Sequence, residues 1–342
     1  MSDQAATTRM GPSSPHALVW LSEPVLALVV FVLLALLPIF LPGYVIYILP
    51  QYMLFGLMAM SLVLMWGFAG MVSFGQAAFF ALGAYTMGLV MKAGGPINPG
   101  YIGLLLAALV GGGIAGLVGY FLFSAGVRPT YFVLVTLALS IMMEQIAVSQ
   151  SQITGGWNGM YIDRLSLTFG RFGAVSLYDD APMYWFVLPI MAAIYFGLRA
   201  LVRGRFGKVL AGIRENEDRL ISLGFRTPLW KTAAFALSGA LACFAGALYG
   251  THASFVAPSL GGVLFSTEVV VWVAIGGRQS LLGGLLAGIG VASLSNFLSA
   301  ITPQYWQLVL GVLFVVTVLF FRGGIAGVLG RLVERHAGGP RA

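Results

Sequence analysis

VRGRFGKVLAGIRENEDRLISLGFRTPLWK, residues Val202 to Lys231, is the one strongly charged stretch of this chain, with Arg203, Arg205, Lys208, Arg214, Arg219, Arg226 and Lys231 inside it. Elsewhere charge is scarce. The 342 residues are 59% hydrophobic and 8% charged, whereas a soluble domain carries about 25% charged residues. So little charge cannot cover a water-exposed surface, and the loop at 202–231 is a polar island between apolar segments. The fold expected is an all-α polytopic membrane protein.

Working outward from the loop, apolar runs occupy 25–41, 52–69, 74–91, 101–125, 130–148, 183–201, 232–251, 263–276, 281–299 and 305–321. A spanning helix needs about 20 apolar residues, and only 263–276 is clearly short. If every run crosses once and the loop is cytoplasmic, the side of each other loop is fixed. Of the 18 Lys and Arg, Lys92, Arg164 and Arg171 then fall outside and the other 15 inside, the sign the positive-inside rule requires. About ten transmembrane helices with both termini cytoplasmic are therefore expected. The boundaries are a tail at 1–24, a membrane domain at 25–322 with an outer loop at 150–181, and a second tail at 323–342. A smaller number of crossings follows if 74–91 or 263–276 is broken or re-entrant.

The net charge of +7 is accounted for by these basic loops, and no nucleic-acid recognition module accompanies it. Cys243 is the only cysteine, so no disulfide forms within the chain. His16, His252 and His336 are too far apart to suggest a metal site. The apolar run at 25–41 is too long for a cleavable signal and reads as an uncleaved anchor. Repeated glycines within runs, such as Gly111, Gly112, Gly113, Gly116 and Gly119, favour close helix packing.

Three groups of residues carry candidate chemistry. From Lys208 to Ser222 a short amphipathic helix is expected, with Val209, Leu210, Ile213, Leu220 and Ile221 on one side and Gly224 ending it. Such a helix either offers a grip to a partner or lies on the lipid headgroups. Glu144 and Glu268 are the only acids inside the runs and should face the interior. Helix-to-helix hydrogen bonding, gating and proton relay are the roles open to them. Finally, Gly70 to Gln76 forms a glycine turn in which Ser73, Gly75 and Gln76 stand at a helix start, either a place where free N–H groups meet a carboxylate or an ordinary turn with Ser73 as its cap.

The ordered set Arg205-Phe206-Gly207-Lys208, Ile213-Arg214-Glu215-Asn216-Glu217, Leu223-Gly224, Lys231, Ala234 to Ala240 and Ala245 to Tyr249 resembles the signature of LivM-type permeases. Gly70 to Tyr85, Thr154-Gly155-Gly156 with Gly159, and Gly276-Gly277 extend the resemblance over roughly residues 45–327. These permeases are membrane subunits of ATP-binding-cassette importers for branched-chain amino acids and related solutes, in the bacterial inner membrane. The resemblance implies a type II importer-like bundle, two separate ATPase subunits that bind the ATP and Mg, a second homologous permease subunit and a periplasmic substrate-binding protein. The chain agrees by omission, having no Gly-x-x-x-x-Gly-Lys-Ser/Thr loop, and no cofactor of its own is expected. By the same resemblance the 208–222 helix is the coupling helix, with Gly207, Arg214, Glu215, Asn216, Glu217 and Gly224 as its residues and Arg214 and Glu215 touching the ATPase. Ser73, Gly75, Gln76, Glu144 and Glu268 would line or gate the path. Trp157, Asn158 and Arg164, on the outer loop that also holds Arg171 and Asp179, would meet the binding protein.

The chain departs from the pattern at Phe74 and Gln76, where many relatives have leucine and histidine, and at Phe321-Arg322-Gly323-Gly324, which lacks a proline. Val271 to Arg278 together with Thr302 to Trp306 look more like the urea and short-amide branch. Cargo is therefore open between branched-chain amino acids and urea or short amides. A proton-coupled secondary carrier using Glu144 and Glu268 is the competing class.

Overall fold

The structure is a computed structural model that describes residues 15–40, 42–94, 98–168, 174–176, 180–306 and, toward the end, 308–309, 311–312, 315–316 and 324. Residues 1–14, Arg171, Asp179, most of the run at 305–321 and nearly all of the 323–342 tail lie outside the described residues.

In chain order the elements are α1 (Pro15–Phe40), α2 (Gly43–Val63) continued by a π turn at Leu64–Phe68, α3 (Gln76–Ala93), α4 (Pro99–Ser124), α5 (Pro129–Ser149), the short α6 (Ser151–Thr154), β1 (Met160–Tyr161), β2 (Ser166–Thr168), β3 (Ala174–Ser176), α7 (Asp180–Arg203), α8 (Arg205–Glu215), α9 (Glu217–Ser222), α10 (Thr227–Ala253), β4 (Phe255–Val256), α11 (Val263–Gly276) and α12 (Leu281–Ile301). Among the described residues six helices, α2 with its π turn, α4, α5, α7, α10 and α12, are long and apolar enough to cross a membrane. The apolar stretch of α1 from Pro24 and the whole of α11 are shorter. The chain is nearly all-α. Among the described residues the exceptions are two antiparallel ribbons, β1 with β4 and β2 with β3, whose strands of two or three residues are too short to show as alternation in sequence.

Helix starts follow local chemistry. Asn98 caps α4 by accepting the Gly100 N–H at 2.9 Å, and proline occupies the first turn of α4, α5 and α10, where its missing N–H costs nothing. From Leu49 to its end α2 is buried except at Gln51, making it the central helix. By contrast, α4 and α5 bury only one stripe and turn Leu105, Leu109, Leu117 and Leu134 outward, as lipid-facing helices do.

Glycine sets the inter-helix distances. A β-carbon at Gly83 of α3 would overlap the Cys243 carbonyl of α10, and one at Gly246 of α10 would overlap the Phe80 carbonyl of α3. Gly111 of α4 meets Cys243 and Gly239 in the same way, and Gly56 of α2 lies against Leu285 and Gly288 of α12. Apolar burial cannot drive such contacts in lipid, so dispersion between closely approached backbones must.

Candidate functional site

α2 does not run cleanly into α3. The Ala69 N–H bonds the Leu64 carbonyl at 3.4 Å in the wider ring of a π turn, a feature often found at functional positions. Gly70 then takes φ +77°, and the chain stays unwound until Gln76. This segment is more than the glycine turn expected from sequence. It is held by side chains from the middle of other helices. Phe74 N–H donates to Thr136 Oγ1 at 3.1 Å, and Ser140 Oγ donates to the Phe74 carbonyl at 2.6 Å. Ser140 also lies 2.9 Å from Ser266 Oγ on α11. The unwound backbone is thereby tied to α5 and, through Ser140, to α11.

At the head of α3, Gln76 Nε2 donates to Ser238 Oγ at 2.8 Å, Ser238 Oγ donates to the Ser61 carbonyl at 2.6 Å, and Ser61 Oγ lies 3.1 Å from Gln76 Oε1. All three residues are buried, so α2, α3 and α10 share one polar knot inside an apolar bundle. Ser238 is 11 residues into α10, about 16 Å along its axis at 1.5 Å per residue. Gln76 therefore sits at mid-bundle depth. Ser73 does not cap α3 as expected from sequence. The cap position is Gly75, and Ser73 Oγ instead accepts the Gly75 N–H at 3.2 Å, because the chain needs two more residues to turn onto the helix axis. The N–H groups of Gln76, Ala77 and Ala78 consequently point to no acceptor among the described residues, an unusual condition for a buried helix start.

Of the two expected membrane acids, Glu144 lies one turn beyond Ser140 on α5 and approaches the start of α11, where a β-carbon on Gly262 would come within 2.6 Å of its Oε2. Carboxylates are favoured at such an end. Glu268, half-buried on α11, makes no hydrogen bond or ion pair with any described residue, and it is not brought to Glu144.

The polar loop differs from the single helix expected over 208–222. It is two helices, α8 and α9, broken at Asn216, whose backbone is extended (φ −159°, ψ 100°) and whose Oδ1 accepts the Arg219 N–H at 3.0 Å. The break turns Glu217 back toward α10, where it pairs with Lys231 Nζ and accepts from Thr227 Oγ1 at 2.8 Å. Lys231, almost fully buried, also faces the Phe123 ring at 5.6 Å. Gly207 packs so tightly on the Val202 carbonyl that a β-carbon would overlap it, which lets α8 fold sharply off α7. Gly224, at φ +85°, ends the element as expected.

Arg214 and Glu215 are exposed. Arg214 does more than face solvent. Its Nη1 donates to the Gly67 carbonyl in the π turn, and its side chain covers Gly70, where a β-carbon would come 2.7 Å from Arg214 Cγ. The charged loop is thus fastened to the first residues of the unwound segment, six residues before Gln76.

On the opposite end, Trp157 is 74% exposed and Asn158 is exposed, while Arg164 lies 5.7 Å over the Tyr47 ring. Gly155, Gly156 and Gly159 all take positive φ, and a β-carbon on Gly159 would meet the Val256 carbonyl. The Thr-Gly-Gly pattern is therefore a backbone requirement of the turn leading into β1. Sequence reasoning passed over Ser61, Gly67, Thr136, Ser140, Ser238 and Ser266. The available signal was single hydroxyl residues within otherwise apolar runs.

A family profile described as branched-chain amino acid transport system, permease component, matches residues 44–318. The chain belongs to this family. The match takes in the unwound segment, the polar knot and the charged loop, so the geometry above is that of a multi-pass membrane permease. It is 27% identical over 299 residues to the high-affinity branched-chain amino acid transport system permease protein LivM of Salmonella typhimurium, covering 80% of this chain and 68% of the relative. The LivM protein of Escherichia coli is 27% identical over 295 residues with the same coverage. An autoinducer 2 import system permease protein, LsrC of Escherichia coli, is 26% identical over 186 residues, 52% of this chain and 53% of the relative. No solved structure matches this permease.

Proposed function

We propose that this permease is the translocation subunit of an ATP-driven importer, worked by ATPase subunits that grip α8 and α9. The observation that carries the reading is the bond from Arg214 to Gly67. It joins an exposed charged element to the outer end of an unwound segment whose inner end, Gln76, lies at mid-bundle depth, so displacement of the first pulls on the second. Glu215 and the exposed edge of Arg214 meet the ATPase, while Glu217, held by Lys231 and Thr227, keeps α9 on α10 so that force is not lost in the loop. Two ATPase subunits carry the ATP and Mg, a second homologous permease subunit completes the path, and a substrate-binding protein docks on Trp157, Asn158 and Arg164. The loop end is cytoplasmic and ten crossings place both termini there, on the charge asymmetry of the loops.

The segment is closed in this conformation, with Ser73, Gln76, Ser238 and Ser266 buried. Opening it exposes the hydroxyls, the Gln76 amide and the free N–H groups at the head of α3. A helix start of this kind accepts a carboxylate, which suits an amino acid. Glu144 and Glu268 then serve in gating. The LivM relatives support branched-chain amino acids as cargo, and urea or short amides remain the second candidate on the resemblance of Val271 to Arg278. The test is reconstitution with the ATPase, second permease and binding-protein partners, followed by uptake of leucine and urea. ATP-dependent leucine uptake is expected. Accumulation by this chain alone, driven by a proton gradient without nucleotide, would overturn the proposal.

A further inference from the structure

Arg199 takes no part in the coupling or the path. It lies on α7, four residues before the helix ends at Arg203, about 6 Å along the axis. Only 8% of the residue is exposed, yet its Nε and Nη2 are buried with no hydrogen-bond partner among the described residues. A buried charge of this kind is strongly disfavoured unless something compensates it. The two orphaned donors stand on one edge of the guanidinium, the edge that meets two oxygens of one phosphate or carboxylate side by side.

Arg199 opens into a crevice between α7, the π turn and the connection before α12. Arg203, Tyr195 and Gln279 supply its polar lining, and Phe68 and Leu281 its apolar walls. A free anion would use the cations and leave the apolar walls wet. An amphiphile uses both. The depth, one helical turn inside the end of a spanning helix, is that of a phospholipid headgroup, and basic pockets between helices at this level suit anionic lipids. We propose that the crevice holds the phosphate diester of an anionic phospholipid from the leaflet at the α8–α9 end, toward which the Arg199 guanidinium turns its buried Nε and Nη2 edge as two donors. Phe68 belongs to the same π turn whose Gly67 carries Arg214, so an occupied crevice braces the hinge of the unwound segment.

The full chain, purified in mild detergent, is titrated with phosphatidylglycerol or phosphatidylcholine and read by native mass spectrometry. The wild type retains phosphatidylglycerol in preference, and Arg199→Gln binds it about tenfold more weakly, the loss of a charge-assisted pair. Arg199→Lys keeps the charge without the two-donor edge, folds, and also binds more weakly than the wild type. Excess inorganic phosphate does not displace the lipid. Equal retention of phosphatidylglycerol by the wild type and either variant overturns the proposal, and displacement by inorganic phosphate turns the crevice into a small-anion site instead.

Discussion

The Glu217–Lys231 pair permits the most quantitative test of how the loop is anchored. Lys231 has a side-chain exposure of 7% and Glu217 of 33%, so the pair stands between two regimes. Exposed pairs contribute about 0.2–1 kcal/mol, and removing one partner of a fully buried pair costs about 3–5 kcal/mol. Glu217→Gln keeps an oxygen for the Thr227 hydroxyl, at 2.8 Å, and so removes chiefly the charge. With the lysine end buried and the glutamate end partly open, the expected loss is about 2 kcal/mol. Lys231→Met fills similar space against Phe123 and removes the buried cation along with its partner's attraction, for about 1 kcal/mol. Adding Glu217→Gln to Lys231→Met then costs little more, which gives a coupling energy of roughly 1–2 kcal/mol. Equilibrium unfolding of the full chain in detergent, followed by fluorescence of its seven tryptophans, reads all four proteins. Effects that add to within about 0.5 kcal/mol would mean the pair does not anchor α9, and the argument for a stiff loop would be lost.

Replacing Gln76 by Leu removes two hydrogen bonds, but Ser238 retains the Ser61 carbonyl and Ser61 the Met58 carbonyl. Stability should therefore fall by only about 1 kcal/mol while reconstituted uptake collapses, and uptake at wild-type rate would remove Gln76 from the path. Gly83→Ala and Gly246→Ala force a β-carbon into a backbone carbonyl across the α3–α10 contact and should each cost about 1–3 kcal/mol. Gly113→Ala, inside α4 with nothing within 4 Å, is the control that does not lower the unfolding midpoint and raises it slightly if anything. Trp157→Ala, at a position 74% exposed, should change stability by less than about 0.5 kcal/mol yet lower the ATPase stimulation produced by loaded binding protein, and unchanged stimulation would move the docking surface elsewhere.

Membrane character was legible because the apolar runs are long and charge is concentrated in one loop. Both signals are local, and the helices α2, α4, α5, α7, α10 and α12 fall where the runs do. The break at Asn216 was not legible. Asn within a helix-permissive stretch carries a small propensity penalty, and what decides the matter is the distant Lys231, which draws Glu217 back onto α10. The start of α3 was foreseen to within two residues from Ser73 and Gly75, but its depth was not, since that depends on Thr136, Ser140 and Ser238 approaching from other helices. A lone serine in an apolar run bonds either its own helix or another, and sequence does not distinguish the two. The β1–β4 ribbon pairs Met160 with Val256, nearly a hundred residues apart, through strands too short to leave a pattern.

The link from the charged loop to the unwound segment is tested most directly by Arg214→Gln in the reconstituted importer, measuring solute taken up and ATP hydrolysed in the same vesicles. The substitution removes the charged donor to Gly67 while leaving Glu215 and the α9 anchor in place. The account predicts that ATPase subunits, still gripped through Glu215, hydrolyse ATP even where the loss of the Arg214 contact weakens assembly, and that uptake per ATP falls steeply. An unchanged ratio of uptake to hydrolysis would contradict it.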